Sequence, residues 1–568
     1  MHVSYTDYEE TLEHDNGSST VYERTIPQGT EVTVDVNSGS WPKEIGFTIE
    51  YEGGEIIEQV DFETLEISNY KYSYTFTVDC GIVEEMYEEF TGNDGDWNNP
   101  SNWSTNALPD ENSNVSVSGD VIINGDVTVK TLVINDGGSV TVESGKLTVT
   151  DGMTNNDASA FIINDGAQVV QGNDNVKATF LMNVEAPESW KEDHSNGWQF
   201  IASPMKDFSS IEFETEGIDY DLFKYDGTQE LQWVNYKIHG TDFEAKFQQG
   251  RGYLASYATK SDVAFEGTLN NERSYTFSDF RAYDERYHYA NFYLLGNPFT
   301  FNIEWGNMIC DGIYSGGFAT VDEDGSISYA GQDADVAVGD GFMVYVDGSS
   351  DQTSLSYSIE QVRNRRHHAD EKASLNIIAS NKKYGDDNVV INFSENDKGF
   401  AKFENFNKDI AEIYVKNDGR PCGILGFDKD TEEIELCFDA KQMGEYTINA
   451  ITNGDFQSVI LVDRFTANET ELLTGSYTFT SATNENSERF TLRIKHEKEN
   501  ENFVYQSGSE LVIDAEGLVQ VMDVMGRIVY SGEQNGVNRV DIGGMNSSTY
   551  IIRNVNNNEV RIQKIVVF

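Results

Sequence analysis

Apolar and polar positions alternate along most of this chain, in short runs separated by turn residues. Runs such as Tyr70 to Val78 place apolar side chains at every second position, which is the period of a strand with one buried face. Gly, Asn and Asp fill most of the gaps between the runs. The pattern predicts an all-β protein with several β-sandwich modules in tandem, of which residues 1–80 form a partial one.

One segment has helical spacing instead. Val83, Met86, Tyr87 and Phe90 recur at intervals of one, three and four residues, which predicts a connector helix over residues 81–90.

The apolar runs become shorter and more regular over residues 91–180. Examples are Val121 to Ile123, Val140 to Val142 and Phe161 to Ile163. Such short rungs at close spacing are typical of a β-solenoid, in which each turn of chain stacks on the next and buries a continuous apolar column. An antiparallel meander is the alternative that the spacing also allows.

Residues 181–360 contain an internal repeat. The segment 198–205 matches 292–299, and the segment 250–254 matches 339–343. Each copy therefore has an aromatic strand that ends at a proline and a later Gly-X-Gly-aromatic strand. We expect two related β units packed as one domain.

A basic segment over residues 361–374 is expected to link this domain to another β-sandwich over residues 375–497. Its basic cluster consists of Arg363, Arg365, Arg366, His367 and His368. A solvated linker is the simpler interpretation, and a cleavage point for an Arg-specific protease is the alternative.

Residues 505–568 predict a small C-terminal β-sandwich of five short strands. Val519 to Asp523 alternates as a strand should, Met525 and Gly526 supply a tight turn, and Arg527 to Tyr530 runs back as a second strand. Glycine is suited to this turn because it adopts a positive φ at little cost.

This segment resembles the type A C-terminal sorting domain of type IX secretion cargo in Bacteroidota. The residues that match the landmarks of that family are Asp523, Gly526, Arg527, Asp541, Met545, Tyr550 and Lys564. Thr549 departs from the pattern, because the family usually has glycine there. An ordinary terminal β module is the alternative interpretation.

The resemblance implies export through the periplasm to the cell surface or the medium, with the secretion translocon and its sorting peptidase as partners. It also implies a cleavable export signal, yet residues 1–20 are acidic and polar, without the apolar region of a signal peptide. The expectation is that the chain is a fragment or that its start is misassigned, so an upstream catalytic domain could be missing.

The charge balance narrows the classes of partner. The chain of 568 residues has 97 acidic residues against 39 Lys and Arg, a net charge of −58. Such a charge repels a phosphate backbone, which argues against nucleic-acid binding. No apolar run reaches the roughly 18–20 residues of a membrane-spanning helix, so no transmembrane segment is expected.

The residues offer little catalytic chemistry, and we expect no enzyme active site in this chain. Candidate metal ligands are Asp94 and Asp96 in one turn, and Asp322 and Asp324, with Ser326, in another. Alternating carboxylates around a glycine can bind calcium, which takes six to eight oxygen ligands. Ordinary polar hairpin turns are the simpler interpretation, and calcium is the only cofactor that the sequence suggests.

Two of the four cysteines are candidates for a disulfide. If Lys429 and Asp430 form the centre of a hairpin loop, Cys422 and Cys437 oppose each other across it, at about 5.5 Å between Cα atoms. Two buried free thiols are the alternative.

The leading functional hypothesis is a secreted or surface-attached protein of structural or adhesive type. One alternative is the non-catalytic tail of an exported hydrolase, such as a peptidase. Another is a glycan-binding surface module that uses Trp97, Trp103 or Trp233. The expected partner outside the cell is a host or extracellular glycan or protein.

Overall fold

The computed structural model describes most of the chain. It covers residues 2–5, 8–11, 21–37, 46–50, 56–60, 71–78, 87–92, 94–187, 190, 195–206, 208, 217–227, 232–238, 246–278, 291–346, 354–359, 373–394, 396–483, 485–496, 503–545, 548–556 and 559–567. Within these ranges every regular element is a strand, apart from short 3-10 helices such as Pro100–Asn102 and Ala158–Ala160. The all-β prediction is confirmed. No helix in the described ranges is long and apolar enough to cross a membrane.

The chain forms two compact units, Met1–Tyr87 and Glu88–Phe568. The strands of the first are β1 (His2–Tyr5), β2 (Tyr8–Thr11), β3 (Glu31–Asn37), β4 (Phe47–Glu50), β5 (Ile56–Val60) and β6 (Lys71–Thr77). They make a four-stranded sheet in the order β2-β1-β3-β6 and the pair β4-β5. Val32, Val34 and Val36 on β3 form the buried centre, and Phe47 of the second sheet packs against the same cluster.

The second unit begins with a β-solenoid. Its strands are β7 (Tyr87–Phe90), β8 (Asn114–Val117), β9 (Asp120–Asn124), β10 (Val127–Ile134), β11 (Ser139–Ser144), β12 (Lys146–Thr154), β13 (Phe161–Ile163), β14 (Gln168–Val170) and β15 (Lys177–Val184). From β8 onward they alternate between two sheets, ordered β14-β12-β10-β8-β7 and β20-β15-β13-β11-β9, where β20 is Ser261–Thr268.

The pairing inside the solenoid is parallel. Val121 pairs with Val140, and Val140 pairs with Phe161, so each turn of chain lies directly on the one before. These three side chains are fully or almost fully buried. Antiparallel neighbours would be needed for a meander, so that alternative is wrong for this segment.

The predicted connector helix is also wrong where it can be checked. Residues 81–86 lie outside the described ranges, but Tyr87–Phe90 form strand β7 at the edge of the solenoid. Phe90 is buried, with its ring 5.2 Å from that of Trp103. Burial of Phe90 against the first rung of the solenoid, formed by β8 and β9, favours a strand over the helix that the weak helical spacing predicts.

The repeated region contributes β16 (Gln199–Ile201), β17 (Tyr220–Tyr225), β18 (Trp233–Asn235), β19 (Tyr253–Tyr257), β20, β21 (Ser274–Phe277), β22 (Phe292–Gly296), β23 (Ile303–Glu304), β24 (Met308–Asp311), β25 (Phe318–Val321), β26 (Ile327–Ala330), β27 (Asp335–Val336), β28 (Gly341–Tyr345) and β29 (Leu355–Ile359). The first copy forms a sheet in the order β16-β19-β17-β18, and the second forms one in the equivalent order β22-β28-β25-β26.

The two copies also share a register and exchange hydrogen bonds. Ile201 pairs with Tyr253 in the first copy, and the matching residues Leu295 and Phe342 pair in the second. The N–H of Ala202 donates to the carbonyl oxygen of Gly339 at 2.6 Å, and the N–H of its counterpart Gly296 donates to that of Gly250 at 2.9 Å. The two copies are therefore related by an approximate two-fold axis.

The next strands are β30 (Ala373–Asn381), β31 (Gly385–Ser394), β32 (Phe400–Ala401), β33 (Glu412–Asn417), β34 (Arg420–Asp428), β35 (Glu433–Asp439), β36 (Gly444–Asn453), β37 (Phe456–Asp463), β38 (Asn468–Glu471), β39 (Tyr477–Ser481) and β40 (Phe490–His496). They form one continuous eleven-stranded sheet. Val390 and Ile424 join a buried cluster that also contains Leu294 and Tyr329 of the repeated region, so the two parts share a core.

The C-terminal module consists of β41 (Val504–Ser507), β42 (Glu510–Asp523), β43 (Ile528–Asp541), β44 (Ser548–Asn556) and β45 (Glu559–Val567). Strand β42 pairs with β41, β43 and β44, and β45 completes the sheet beside β44. Its own apolar core includes Leu511, Val519, Tyr550 and Ile552.

Candidate functional site

The hairpin turn between β42 and β43 is organised by Asp523. One carboxylate oxygen of Asp523 accepts hydrogen bonds from the backbone N–H of Met525 at 3.0 Å and of Arg527 at 2.9 Å. The other accepts from Arg527 Nε at 3.0 Å. Gly526 has a φ of +80°, in the region that favours glycine. The Asp-X-X-Gly-Arg pattern is therefore a self-contained turn, and its backbone hydrogen bonds to Asp523 lower the pKa of that carboxyl group.

The other predicted landmarks are spread over the module. Tyr550 is buried and pairs with Asp523 across the β42–β44 ladder. Asp541 lies at the opposite end of the β42–β43 ribbon, where its carboxylate accepts from the N–H of Gly543 at 2.9 Å. Lys564 is exposed on β45 opposite Ile551. The structure thus brings Asp523, Arg527 and Tyr550 to one end and leaves Asp541 at the other.

A second feature of the module is its outer face, formed by the outward side chains of β44, of β45 and of the part of β42 that pairs with β44, residues 518–523. These residues are Leu518, Gln520, Met522, Thr549, Ile551, Arg553, Val555, Val560, Ile562, Lys564 and Val566. These residues include two cations and no carboxylate, and Glu533 of β43 pairs with Leu518 at the border of the face. Val560, Ile562 and Val566 are 50%, 52% and 46% exposed.

The sequence pattern indicates Lys564 as a landmark of the module, but it does not indicate the apolar residues that share the outer face with it. On β45 the alternation of polarity runs against the burial, because Val560 and Ile562 are exposed while Arg561 and Gln563 are half-buried. Further along the strand, exposed Val566 lies between half-buried Ile565 and buried Val567, so the sequence pattern does not indicate which side faces outward. An exposed apolar patch of this kind is uncommon on a monomeric surface and marks sites of contact with other molecules.

The predicted metal ligands Asp94 and Asp96 lie in a polar turn at the start of the solenoid. The carboxylate of Asp94 accepts hydrogen bonds from the side-chain amides of Asn102 and Asn99, the latter at 2.9 Å, and these bonds lower the pKa of Asp94. Asp96 accepts from the N–H of Asn98 at 2.9 Å. Donors of the same turn therefore occupy these oxygens.

Asp322 and Asp324 lie in the hairpin turn between β25 and β26. Ser326 donates from its backbone N–H to Asp324 at 2.9 Å and from its hydroxyl to Asp324 at 2.6 Å. Burial, and then the charge of Asp324, raise the pKa of Asp322. The geometry is that of a polar hairpin turn, and calcium binding at either turn stays a prediction. Within the described ranges no three His, Cys, Asp or Glu side chains form a metal-binding group.

The predicted hairpin that would join Cys422 and Cys437 is wrong. Strand β33 lies between β34 and β35, so Cys422 pairs with Val415 and Cys437 pairs with Tyr414. Both cysteines are buried and free. The pair of free thiols, which was the alternative, describes the structure.

The tryptophans proposed for glycan binding serve as core residues. Trp97 and Trp103 are 2% and 1% exposed, and their rings meet edge to face at 4.7 Å. Trp233 is half-buried, with its ring 5.1 Å from that of Tyr225 and 6.0 Å from that of Phe406. A glycan site on Trp97 or Trp103 is wrong, because their faces are covered by other side chains.

The basic segment falls almost wholly outside the described residues, which resume at residue 373 after 359. Its interpretation as a linker stays a prediction.

One known family matches part of the chain. Residues 89–312 match the model of a family described as a domain of unknown function, DUF8693. This span contains the solenoid, the first copy of the repeat and the start of the second. No curated protein and no solved structure matches the chain.

Proposed function

We propose that this protein is a secreted or surface-attached β protein of structural or adhesive type, exported by a type IX secretion pathway of Bacteroidota that recognises its C-terminal module. The observation that carries the proposal is the outer face of that module. It presents apolar side chains together with Arg553 and Lys564, in a chain whose net charge is −58.

The contrast in charge supports recognition at this face. A translocon that must distinguish the C-terminal module from the acidic remainder can use an apolar surface with complementary negative charge, because such a surface repels the rest of the chain. The turn organised by Asp523 lies at the end of β42, which also supplies Leu518 and Met522 to the outer face. The landmark turn and the outer face therefore belong to one surface region.

The export proposal is tested in a type IX-competent host with the full chain placed behind a signal peptide. The intact protein should reach the surface or medium, and the same protein without residues 503–568 should remain in the periplasm. Equal distribution of the two would refute the assignment.

A matched pair of variants tests the role of the outer face. Ile562→Glu places a carboxylate on the outer face. Val537→Glu places a carboxylate on β43, which pairs with β42 but not with β44 or β45. The native side chains of Ile562 and Val537 are similarly exposed, at 52% and 63%. Both variants should fold, because neither side chain is buried. Export should fall for Ile562→Glu and persist for Val537→Glu. Equal export of both would contradict recognition at this face.

A further inference from the structure

Lys402 and Asp387 form a buried pair close to the core that the repeated region shares with the eleven-stranded sheet. The Lys402 side chain is 5% exposed and that of Asp387 is 0% exposed. Lys402 Nζ lies 2.9 Å from Asp387 Oδ1 and 2.7 Å from Oδ2. The ring of Tyr329 lies 4.5 Å from Nζ, so the pair is enclosed by protein.

Burial favours the neutral forms of both groups. Removal from water penalises a charge more strongly than it penalises a neutral acid or amine. Desolvation accordingly raises the pKa of Asp387 and lowers that of Lys402. In the neutral pair, Asp387 is a carboxylic acid and Lys402 is a nucleophilic amine with a free lone pair.

The surrounding backbone orients the two groups for reaction. The carbonyl oxygens of Asn388 and Ile413 lie 2.8 Å and 3.0 Å from Lys402 Nζ, and they can hold the two N–H bonds of a neutral amine. The remaining position of the nitrogen, its lone pair, is then directed to the carboxyl group. The backbone N–H of Ile413 donates to Asp387 Oδ2 at 2.7 Å, where negative charge develops during attack on the carboxyl carbon.

We propose that Lys402 and Asp387 join in an intramolecular isopeptide bond. Lys402 Nζ attacks the side-chain carbon Cγ of Asp387, and Oδ2 carries the negative charge of the tetrahedral intermediate against the N–H of Ile413. Oδ1, which carries the acid proton, takes one proton from Nζ and departs as water. The products are one amide bond and one water molecule, so the reaction needs no oxidant and no co-reactant.

The bond would tie β31 to the segment that follows β32. It would fix the shared core in covalent form, which suits a protein that works outside the cell. The proposal stands on the geometry of this pair and is independent of the route of export.

Mass spectrometry of the purified, denatured full chain tests the bond. The expected mass is lower than that of the sequence by one water molecule. A tryptic digest should contain the peptide 384–398 joined to the peptide 399–408, with no cleavage after Lys402. An unchanged intact mass together with a peptide that ends at Lys402 would overturn the proposal.

The chain offers a matched control. Lys416 Nζ lies 2.9 Å from a Glu488 oxygen, but these side chains are 28% and 45% exposed, so the pair should stay ionic and trypsin should cleave after Lys416. The variant Lys402→Arg should have the full mass calculated from its own sequence, without the loss of water, because a guanidinium does not form this amide. Asp387→Asn should give the same joined peptides by loss of ammonia. Joined peptides that persist in Lys402→Arg would exclude Lys402 as the nucleophile.

Discussion

Replacement of Trp103 by alanine should loosen the solenoid from its N-terminal end. Trp103 covers the first rung: its ring contacts those of Phe90 and Trp97, and its Nε1 donates to the carbonyl oxygen of Trp97 at 2.9 Å. Stacked rungs contact only their neighbours, so a lost cap weakens the rung beside it first.

The size of the effect follows from the burial of this side chain. A buried aromatic residue removes about 150–250 Å² from water, which at about 25 cal/mol per Å² corresponds to roughly 4–6 kcal/mol. Truncation of a buried Trp to Ala costs about 3–5 kcal/mol in cores where such changes are known. We therefore expect Trp103→Ala to lower the free energy of opening of the first rung by about 3–5 kcal/mol.

Hydrogen exchange followed by mass spectrometry reads this change rung by rung. Peptides from β8 and β9 should lose protection by about 100-fold or more, because each 1.4 kcal/mol is roughly a factor of ten. Peptides from β13 and β14 should lose much less. The control is Ile122→Ala on β9, since Ile122 is 40% exposed, and it should change protection by less than about tenfold. Unchanged exchange of β8 and β9 in Trp103→Ala would refute the capping role.

Two further predictions concern stability. Burial acts to raise the pKa of Asp463, but hydrogen bonds from Arg489, Tyr477 and the N–H of Phe465 outweigh it and lower that pKa to about 2. The pKa of this carboxyl group is therefore lower in the folded state than in the unfolded state. As a result, about 2 kcal/mol of stability is present above pH ~4 and is lost as the pH falls toward 2. The stability difference between wild type and Asp463→Asn, measured by denaturant unfolding followed by circular dichroism, should therefore shrink over this range, and a constant difference would contradict the argument. Gly145→Ala should destabilise the protein more than Gly137→Ala. Both glycines have a positive φ, but an added Cβ at Gly145 would lie 2.4 Å from the backbone of the preceding turn, whereas an added Cβ at Gly137 would have no atom within 4 Å. Their urea midpoints should differ accordingly, and equal midpoints would show that the stacked turns yield to a methyl group.

Local patterns predicted those parts of the fold that local contacts determine. The rungs of the solenoid were recognisable because inward residues such as Val121 and Val140 alternate with polar ones and glycine-rich turns separate them. The repeat was recognisable because both copies have glycine at the matching positions Gly252 and Gly341. The structure gives the reason for this glycine, since a Cβ on Gly252 would lie 2.3 Å from the carbonyl oxygen of Leu295.

The failed predictions involve contacts between distant segments. The hairpin of Cys422 and Cys437 was inferred from neighbouring runs, but β33 is inserted between them from earlier in the chain. Nothing in the local sequence indicates such an insertion. The length of the loop between β34 and β35 permits a hairpin of these two strands as well as an arrangement with β33 between them. The local sequence likewise does not indicate the pair of Lys402 and Asp387, because the ring that lies 4.5 Å from Lys402 Nζ belongs to Tyr329 of another sheet.

The approximate two-fold axis of the repeated region relates the hydrogen bonds between its two copies. The N–H groups of Ala202 and Gly296 each find their acceptor in the other copy, at Gly339 and Gly250. A chain with a single copy could satisfy these groups in the same way only by pairing with a second chain, since a two-fold interface uses the same surface on both partners. The repeated region therefore has the interface geometry of a two-fold homodimer, contained within one polypeptide.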